Sequence, residues 1–330
     1  MLPISVLIPT RDCGALMPGH LQSLKGWIDL AEEVVVVDSD SKDGAVEMLR
    51  RGLAHPRLRC LSHPPGLYQS WNFGIQHISA QYFYISTVGD SITREGLEHL
   101  LAVAEEFQSG VVISKPAFMA EDTRPAADIR WPIDDLIQTL AVTRPRAVSW
   151  LECLLFTAVH LDGTLLGSSA SNLYRTDALQ KFPFPADFGK AGDAAWAARH
   201  FADLKWAVTP RKFSTFLRHR DWTAAAERQS WKTSTRLDQV LREAVQTAAA
   251  NGVLSRAELE AHAVAELLDA AGLWLDGKQA FDLRRARRWP WHLNPAAWSA
   301  RSLRNRQRRR LLQWRDRALV RLRTESAAGS

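Results

Sequence analysis

The feature that most constrains this chain is the alternation of strand and helix signals over its first 115 residues. Short apolar runs such as Ile4–Ile8 and Val34–Val37 alternate with longer segments whose apolar residues recur at helical spacing. The Val34–Val37 run is β-branched throughout, which is typical of a strand with both faces buried in a parallel sheet. We therefore predict an α/β fold in which helices cover both faces of a mostly parallel sheet.

The predicted elements continue beyond this region, although less regularly. Strands are predicted over Ile4–Ile8, Val34–Val37, Leu58–Leu61, Tyr82–Ser86, Val111–Ser114, Trp206–Val208 and Phe213–Leu217. Helices are predicted over Leu16–Leu30, Gly44–Leu53, Leu67–Ile78, Arg94–Phe107, Ala191–Ala202, Ala224–Ala250 and Ala257–Leu275. The proline-containing stretch 116–165 is predicted to be loop with short helices.

Composition places the chain among ordinary globular proteins. It has 330 residues, of which 46% are hydrophobic and 24% charged, so disordered, collagen-like and disulfide-scaffold classes are excluded. No apolar run approaches the roughly 20 residues that span a bilayer, and Met1–Pro9 lacks the basic region of a secretory signal. The three cysteines form neither a zinc pattern nor a disulfide framework, which favours a reducing, cytoplasmic compartment.

Positive charge is concentrated near the C-terminus. The stretch 283–323 contains fourteen arginines and one acidic residue, a net charge of +13, with tryptophans at positions 289, 291, 298 and 314. Since the whole chain carries +6, the other residues together carry −7. Three interpretations are open: an amphipathic helix on an anionic membrane surface, a nucleic-acid contact, or a helix docked on the acidic body. We favour the membrane surface and expect no nucleic-acid partner for the body.

Polar residues follow three predicted strands at the points where open α/β sheets bind ligands. The segments 9–12, 38–44 and 86–90 read P-T-R-D, D-S-D-S-K-D-G and S-T-V-G-D. We expect Asp43 to cap the following helix, whereas Asp38 directly ends a buried strand and is expected to contact a ligand. Because neither G-x-G-x-x-G after the first strand nor a P-loop motif occurs, dinucleotide-binding and P-loop functions lose their main support.

Three segments of the N-terminal region form an ordered series of motifs. Segment 4–10 reads I-S-V-L-I-P-T, and segment 33–44 reads E-V-V-V-V-D-S-D-S-K-D-G. Segment 65–75 reads P-G-L-Y-Q-S-W-N-F-G-I. These segments resemble glycosyltransferase family 2, whose members have the GT-A fold and show the patterns V-S-V-I-I-P-T, V-V-D-x-x-S-x-D-G-T and G-I-Y-D-A-M-N-x-G-I. The resemblance is specific over about the first 90 residues, weakens towards residue 220 and is absent from the C-terminal third.

The resemblance implies that an NDP-sugar donor, UDP-linked, binds over the strand ends. Pro9, Thr10, Arg11 and Asp38 would hold the nucleoside, and Asn72 would lie beside the donor. For Asn72 an alternative remains, in which its amide only bridges backbone groups.

The family's metal-binding D-x-D motif is missing its carboxylates here. Its position is occupied by Thr87, Val88 and Gly89, and only Asp90 follows. The resemblance still places Thr87, Gly89 and Asp90 against the diphosphate. Three outcomes are open: Asp90 holds Mg²⁺ or Mn²⁺ with help from phosphates and water, an arginine or lysine replaces the metal, or catalysis has been lost. We favour the first.

The resemblance to the family is weaker in the segments that follow residue 115. Segment 167–175 is similar to the acceptor-side strand, and Lys190–Asp193 is similar to an E-D motif at a helix start. The resemblance implies that Asp193 is the general base that deprotonates the acceptor hydroxyl, although a plain helix cap is the alternative. His219 lies where a histidine of related enzymes touches the metal or diphosphate.

Together these observations predict an inverting glycosyltransferase of mixed, mostly parallel α/β fold. We expect a GT-A domain over 1–220, with a nucleotide-sugar half at 1–115 and an acceptor half at 116–220, followed by a helical extension at 221–330. The acceptor would be a saccharide or lipid-linked molecule in cell-surface polysaccharide or glycolipid synthesis, with the enzyme cytoplasmic and peripheral on the inner face of the membrane. The alternative is a catalytically inactive sugar-nucleotide-binding or scaffold protein of the same fold.

Overall fold

The strands of the molecule are short and numerous. The computed structural model describes residues 1–121, 124–127, 129–161, 163–218, 237–285 and 295–328. The strands are β1 (Ile4–Thr10), β2 (Glu33–Asp38), β3 (Leu58–Ser62), β4 (Tyr82–Ile85), β5 (Ser91–Ile92), β6 (Val111–Ile113), β7 (Ala117–Ala120), β8 (Arg146–Val148), β9 (Leu173–Arg175), β10 (Trp206–Val208) and β11 (Ser214–Arg218).

Helices connect the strands and form the C-terminal part of the chain. They are α1 (Met17–Leu24), α2 (Ala45–Gly52), α3 (Leu67–Ile75), α4 (Arg94–Glu106), α5 (Pro132–Thr139), α6 (Trp150–Ala158), α7 (Thr176–Lys181), α8 (Gly192–His200), α9 (Leu237–Ala250), α10 (Arg256–Ala261), α11 (Val264–Arg285) and α12 (Pro295–Ala328). Short 3₁₀ turns occupy Ile28–Leu30, Ser169–Ser171 and Gly189–Ala191.

The main sheet has eight strands in the order β3-β2-β1-β4-β9-β6-β10-β8. All of its pairings are parallel except those of β9 and β8, which run antiparallel to their neighbours. A second sheet of three strands has the order β5-β11-β7. The predicted mixed, mostly parallel sheet flanked by helices is therefore confirmed.

Both faces of the main sheet are buried, as the β-branched run of β2 predicted. Val35 and Val37 enter one core cluster with residues of α3, α6 and α8. Val34 and Val36 enter a second cluster with residues of α1, α2 and α4. Successive side chains of a strand point to opposite faces, so this division requires helices on both sides of the sheet.

The parallel register brings several strand ends to one edge of the sheet, which we call the carboxyl edge. Thr10 lies opposite Asp38 across β1 and β2, and Asp38 lies opposite Ser62 across β2 and β3. Strand β4 pairs with β1 and ends at Ile85. Because β9 runs the other way, the turn Ser169–Ser171 that precedes it lies at this edge too.

Two predicted helices differ from what the sequence indicated. The helix expected over Leu16–Leu30 ends at Leu24, because Trp27 leaves helical geometry with φ −152° and packs edge-on against Tyr84 at 5.6 Å. The helix expected over Ala257–Leu275 is divided at Ala263, whose φ is +46°. Of the helix expected over Ala224–Ala250, positions 224–236 lie outside the described residues, and α9 begins at Leu237.

The C-terminal helices pack into the same core cluster as α6 and α8. The buried residues of α12, such as Leu311 and Leu319, belong to it. Beside them the guanidinium of Arg315 is buried and forms an ion pair with Asp135 of α5, which also accepts a hydrogen bond from His160 at 2.9 Å. Burial alone would raise the pKa of Asp135, but His160 and the Arg315 charge lower it to about 2. The ion pair therefore joins α12 to α5, and removing either partner would leave the other charge unpaired in a mostly buried position.

Helix α12 also docks through two stacked arginines. The guanidinium of Arg308 lies 4.8 Å from the ring centre of Trp274, and that of Arg304 lies 4.4 Å from the ring centre of Phe281. Part of the arginine-rich stretch thus contacts the protein itself, in agreement with the docked-helix interpretation. None of the described helices is both long and apolar enough to cross a membrane.

Helix α3 approaches the sheet so closely that a glycine is required at the contact. A β-carbon at Gly74 would lie 2.4 Å from Leu7 Cδ1 and 2.8 Å from Val37 Cγ2. Both neighbours belong to the fully buried core and have little room to move. This close approach is the physical reason for glycine in the segment that resembles the family pattern.

We expect Gly74→Ala to destabilise the protein by about 1–3 kcal/mol, since the added methyl overpacks a closed core. The matched control is Gly19→Ala in the exposed part of α1, where an added β-carbon meets nothing within 4 Å. That change should raise stability by up to about 1 kcal/mol through helix propensity. Chemical denaturation of both variants measures whether each free energy of unfolding falls or rises. A Gly74→Ala variant as stable as the parent would contradict the packing argument.

Candidate active site

Asp38 ends β2 at the carboxyl edge and is held by hydroxyl groups. Its Oδ1 accepts hydrogen bonds from Thr10 Oγ1 at 3.0 Å and Ser41 Oγ at 2.5 Å, and its Oδ2 accepts from the Ser41 N–H at 3.1 Å. The residue is half-buried, so its carboxylate is oriented by protein donors while part of it faces solvent. The arrangement suits a carboxylate that receives further hydrogen bonds from a ligand.

A cavity of about 220 Å³ opens beside Asp38. Its lining includes Ser41, Cys60 and Ser62, together with Arg50 of α2. The cavity thus lies between the ends of β2 and β3 and offers hydroxyl groups, the cationic side chain of Arg50 and the acidic side chain of Glu47.

The other residues predicted around the nucleoside lie close by in the fold. Pro9 pairs with Val37 within the sheet, and Arg11 is exposed just after β1 ends. Asp43 accepts a hydrogen bond from Ala45 N at 3.2 Å, but the cap position of α2 is taken by Gly44 with φ +78°. The expectation that Asp43 is the N-cap was therefore wrong by one residue, because Gly44 holds that position. The Asp43 carboxylate still accepts a hydrogen bond from the first N–H of the helix.

Asp90 lies at the end of a tight turn after β4. Gly89 has φ +101°, a left-handed conformation that favours glycine, and Asp90 N donates to Thr87 O at 3.0 Å. The Asp90 carboxylate is buried: Oδ1 accepts from Leu217 N at 2.9 Å, and Oδ2 accepts from Ser168 Oγ at 3.4 Å. Burial raises the pKa of Asp90 to about 7, against the opposing effect of these two donors.

The described residues do not by themselves build a metal site at Asp90. Both of its carboxylate oxygens already accept hydrogen bonds that tie β11 and the Ser168 loop to the turn. In the described ranges no group of three or more His, Cys, Asp or Glu side chains could hold a metal ion. His219, the second predicted ligand, lies outside the described residues.

Asp193 lies at the start of α8, in its first turn rather than at its cap. The Asp193 Oδ1 accepts a hydrogen bond from Ala194 N at 2.7 Å, and the nearby phenol of Tyr68 donates to Lys190 O at 3.3 Å. Burial raises the pKa of Asp193 to about 6, although the Ala194 hydrogen bond opposes the rise. A carboxylate with such a pKa is a stronger proton acceptor than an ordinary aspartate.

Asn72 bridges two parts of the chain. Its Nδ2 donates to Phe184 O at 2.7 Å, and its Oδ1 accepts from Phe184 N at 3.0 Å. The amide is therefore paired with the backbone that leads towards α8, as the alternative interpretation of this residue expected. Helix α3 thereby carries both Asn72, which fixes that segment, and Tyr68, which donates to Lys190 O.

Sequence analysis missed three contacts of this site. Tyr68 stands within the family-like segment 65–75, but its hydrogen bond to Lys190 O, in the turn before Asp193, joins residues far apart in sequence. Ser168 and the backbone of Leu217 hold Asp90 across comparable separations. For Tyr68, the sequence offered one signal, its place in the family-like segment. The spacing of residues in that segment did not indicate which distant residue the tyrosine would contact.

Comparison with known proteins agrees with this geometry. Residues 5–149 match the family model of Glycosyl transferase family 2. No curated protein matches the chain at significant sequence similarity.

Two solved structures are similar over most of the chain. Staphylococcus aureus TarS 1-349 in complex with UDP-GlcNAc has a TM-score of 0.52 and 17% identity, covering 94% of this chain and 90% of that chain. The mannosyltransferase PcManGT from Pyrobaculum calidifontis, in complex with GDP-Man and Mn²⁺, has a TM-score of 0.54 and 18% identity, covering 96% and 86%. The chain thus has the GT-A fold, and its predicted resemblance to glycosyltransferase family 2 is confirmed, with the family pattern over residues 5–149.

Proposed function

We propose that this chain is an inverting glycosyltransferase that moves a sugar from a UDP-linked donor to a saccharide or lipid-linked acceptor. The observation that carries the proposal is the half-buried Asp193 carboxylate at the start of α8, which accepts a hydrogen bond from Ala194 N, in a chain with the family pattern. The proposed setting is cell-surface polysaccharide or glycolipid synthesis, in the cytoplasm at the inner face of the membrane.

The nucleoside would bind over the ends of β1 and β2. Asp38 is oriented by Thr10 and Ser41 and has oxygen lone pairs left for ribose hydroxyls or a base N–H. Arg11 is exposed next to it and can face the diphosphate. The similar structures were solved with UDP-GlcNAc and with GDP-Man, and this supports a nucleoside diphosphate sugar as the donor class.

Asp193 would supply the chemistry on the acceptor side. As the acceptor oxygen bonds to the anomeric carbon, its proton passes to the Asp193 carboxylate, and the bond from that carbon to the diphosphate oxygen breaks. Attack from the face opposite the diphosphate inverts the anomeric configuration. With a pKa of about 6, Asp193 is mostly ionised at neutral pH and can accept the proton.

A divalent cation, Mg²⁺ or Mn²⁺, would neutralise the leaving diphosphate when bound. PcManGT was solved with Mn²⁺, which supports this class of cofactor. In the described part of this chain no group of three or more His, Cys, Asp or Glu side chains could hold the ion, so Asp90 would bind it with help from phosphates and water. Thr87 and Gly89 would approach the diphosphate through the turn that contains Asp90, and we assign the proton transfer to Asp193 alone.

The second candidate function is a silent sugar-nucleotide-binding protein. It is favoured by the absence of both D-x-D carboxylates and by the engagement of both Asp90 oxygens with the protein. The two functions share the nucleotide site and differ in whether a sugar is transferred. Donor hydrolysis or transfer in the presence of Mg²⁺ and Mn²⁺ therefore separates them.

We expect Asp193→Asn to lower kcat by about 10²–10⁴-fold, because the amide cannot accept the proton. Binding of UDP to the variant should stay within about threefold of the parent. The matched control is Asp177→Asn, an exposed aspartate paired with Arg175, which should leave kcat unchanged. A parent protein that binds UDP but neither hydrolyses a UDP-sugar nor transfers its sugar would establish the silent function. An active Asp193→Asn variant would exclude this residue as the base.

We propose further that α12 attaches the protein to an anionic membrane surface. Its inward face packs on the body through Leu311 and Arg315, whereas its outward face is dominated by exposed arginines. These are Arg301, Arg306, Arg309, Arg310, Arg317 and Arg321, with exposed Trp298, Leu303 and Val320 among them. Arginines attract anionic headgroups and tryptophan favours the membrane interface, so this face suits a peripheral contact.

Vesicle flotation with and without anionic phosphatidylserine tests this contact. The triple variant Arg306→Glu, Arg309→Glu, Arg310→Glu should lose at least about tenfold in binding, since each arginine near the surface contributes about 1 kcal/mol. The control triple, Arg51→Glu, Arg144→Glu, Arg256→Glu, changes net charge equally at exposed positions elsewhere and should bind like the parent. Equal losses in both triples, or binding of RNA without binding of vesicles, would contradict the proposal.

A further inference from the structure

We propose that His20 is a positioning residue that holds the Thr87–Asp90 turn in place, an inference that rests on the proposed function for the role of that turn. His20 lies on α1 and is only 2% exposed. Its Nδ1 lies 3.3 Å from the backbone oxygen of Asp90, and its Nε2 lies 3.3 Å from Ser86 Oγ. One imidazole thus links both ends of the turn to α1.

The chemistry of its two partners assigns a task to each nitrogen of the His20 ring. A backbone carbonyl only accepts hydrogen bonds, so Nδ1 carries the proton that faces Asp90 O, and in the neutral ring Nε2 accepts from the Ser86 hydroxyl. The other buried residues of α1 are Met17 and Leu24, which are apolar. A polar ring on this face is costly without partners, and the turn supplies a partner for each of its nitrogens.

The turn is confined by packing as well as by these hydrogen bonds. A β-carbon at Gly89 would lie 3.0 Å from Leu217 Cδ2 on β11 and 3.3 Å from Leu16 Cδ1 at the start of α1. On the side of β11, the Asp90 carboxylate accepts from Leu217 N at 2.9 Å. On the side of α1, His20 makes the corresponding link through the Asp90 backbone. The turn therefore lies between two elements, and His20 is its polar attachment to one of them.

The composition of the turn makes its position important for a diphosphate. Thr87, Val88 and Gly89 stand where the family has its D-x-D motif, so no carboxylate side chain at these three positions can reach towards the ligand. The backbone of the turn and the Asp90 carboxylate must then be placed correctly by the surrounding protein. Under the proposed function, the nucleoside is held separately, by the ends of β1 and β2. Losing the His20 links should therefore weaken binding of the diphosphate and leave binding of the nucleoside unchanged.

The test compares UDP with uridine in NMR titrations of the full chain. We expect His20→Leu, which removes both links but keeps an apolar side chain of similar size, to bind UDP about tenfold more weakly, as expected for the loss of two hydrogen bonds. Its affinity for uridine should stay within about twofold of the parent. His20→Asn can place an amide N–H near the position of Nδ1, so it should bind UDP within about threefold of the parent.

The matched control is His55→Leu. The ring of His55 also bridges two segments, through Ala31 O and Arg57 N at 3.2 Å each, but it lies at the opposite edge of the sheet, before β2 and β3. This variant should bind both ligands like the parent. Equal losses of UDP and uridine affinity in His20→Leu would overturn the inference, because a purely structural role does not distinguish the two ligands. Unchanged binding of UDP by His20→Leu would overturn it too.

A second measurement separates this inference from the proposed function. The Asp90 amide donates to Thr87 O at 3.0 Å within the turn, so its hydrogen exchange reports how firmly the turn is held, whether or not a ligand binds. We expect exchange at this amide to be about tenfold faster in His20→Leu and unchanged in His55→Leu. Faster exchange supports the inference even if the parent binds no UDP, in which case only the proposed function fails. Unchanged exchange overturns the inference even if the parent binds UDP and transfers a sugar.

Discussion

The parallel hydrogen-bonded ladders that join β1 to β2 and β4 determine where the candidate site lies. They set Thr10 beside Asp38 and bring the end of β4, with its Thr87–Asp90 turn, to the same edge. The β-branched, apolar sequence of β2 requires burial on both faces, so the polar residues that follow it can only lie at the strand ends. The division between core and site is thus a direct consequence of strand composition.

Three carboxylates at or near this edge differ in what the protein does to them. Asp38 is half-buried and oriented by two hydroxyl groups, which leaves it able to bind a ligand. Asp90 is buried and its oxygens tie β11 and the Ser168 loop to the turn, so its role in the described structure is to hold the turn in place. Asp193 is half-buried and accepts a hydrogen bond from Ala194 N, and desolvation raises its pKa to about 6, near the range in which a general base works.

The strands and the carboxyl edge could be predicted because their signals are local. An apolar run such as Val34–Val37 and the polar residues directly after it are visible within a few positions of one another. The contacts that define the site are not local: Asp90 meets Leu217 across 127 residues, and Tyr68 meets Lys190 across 122. A long-range contact also explains why α1 ends earlier than predicted. Trp27 packs on Tyr84, and the helical spacing of apolar residues carries no information about that contact.

We propose above all that the carboxyl edge binds a nucleoside diphosphate through Asp38. Calorimetric titration of UDP into the parent protein, Asp38→Ala and the exposed control Asp177→Asn tests it most directly. We expect saturable binding by the parent and the control, and a loss of about 10–100-fold in Asp38→Ala, the contribution of hydrogen bonds to a charged group. Equal binding by all three proteins, or no binding of UDP by any of them, would contradict the account.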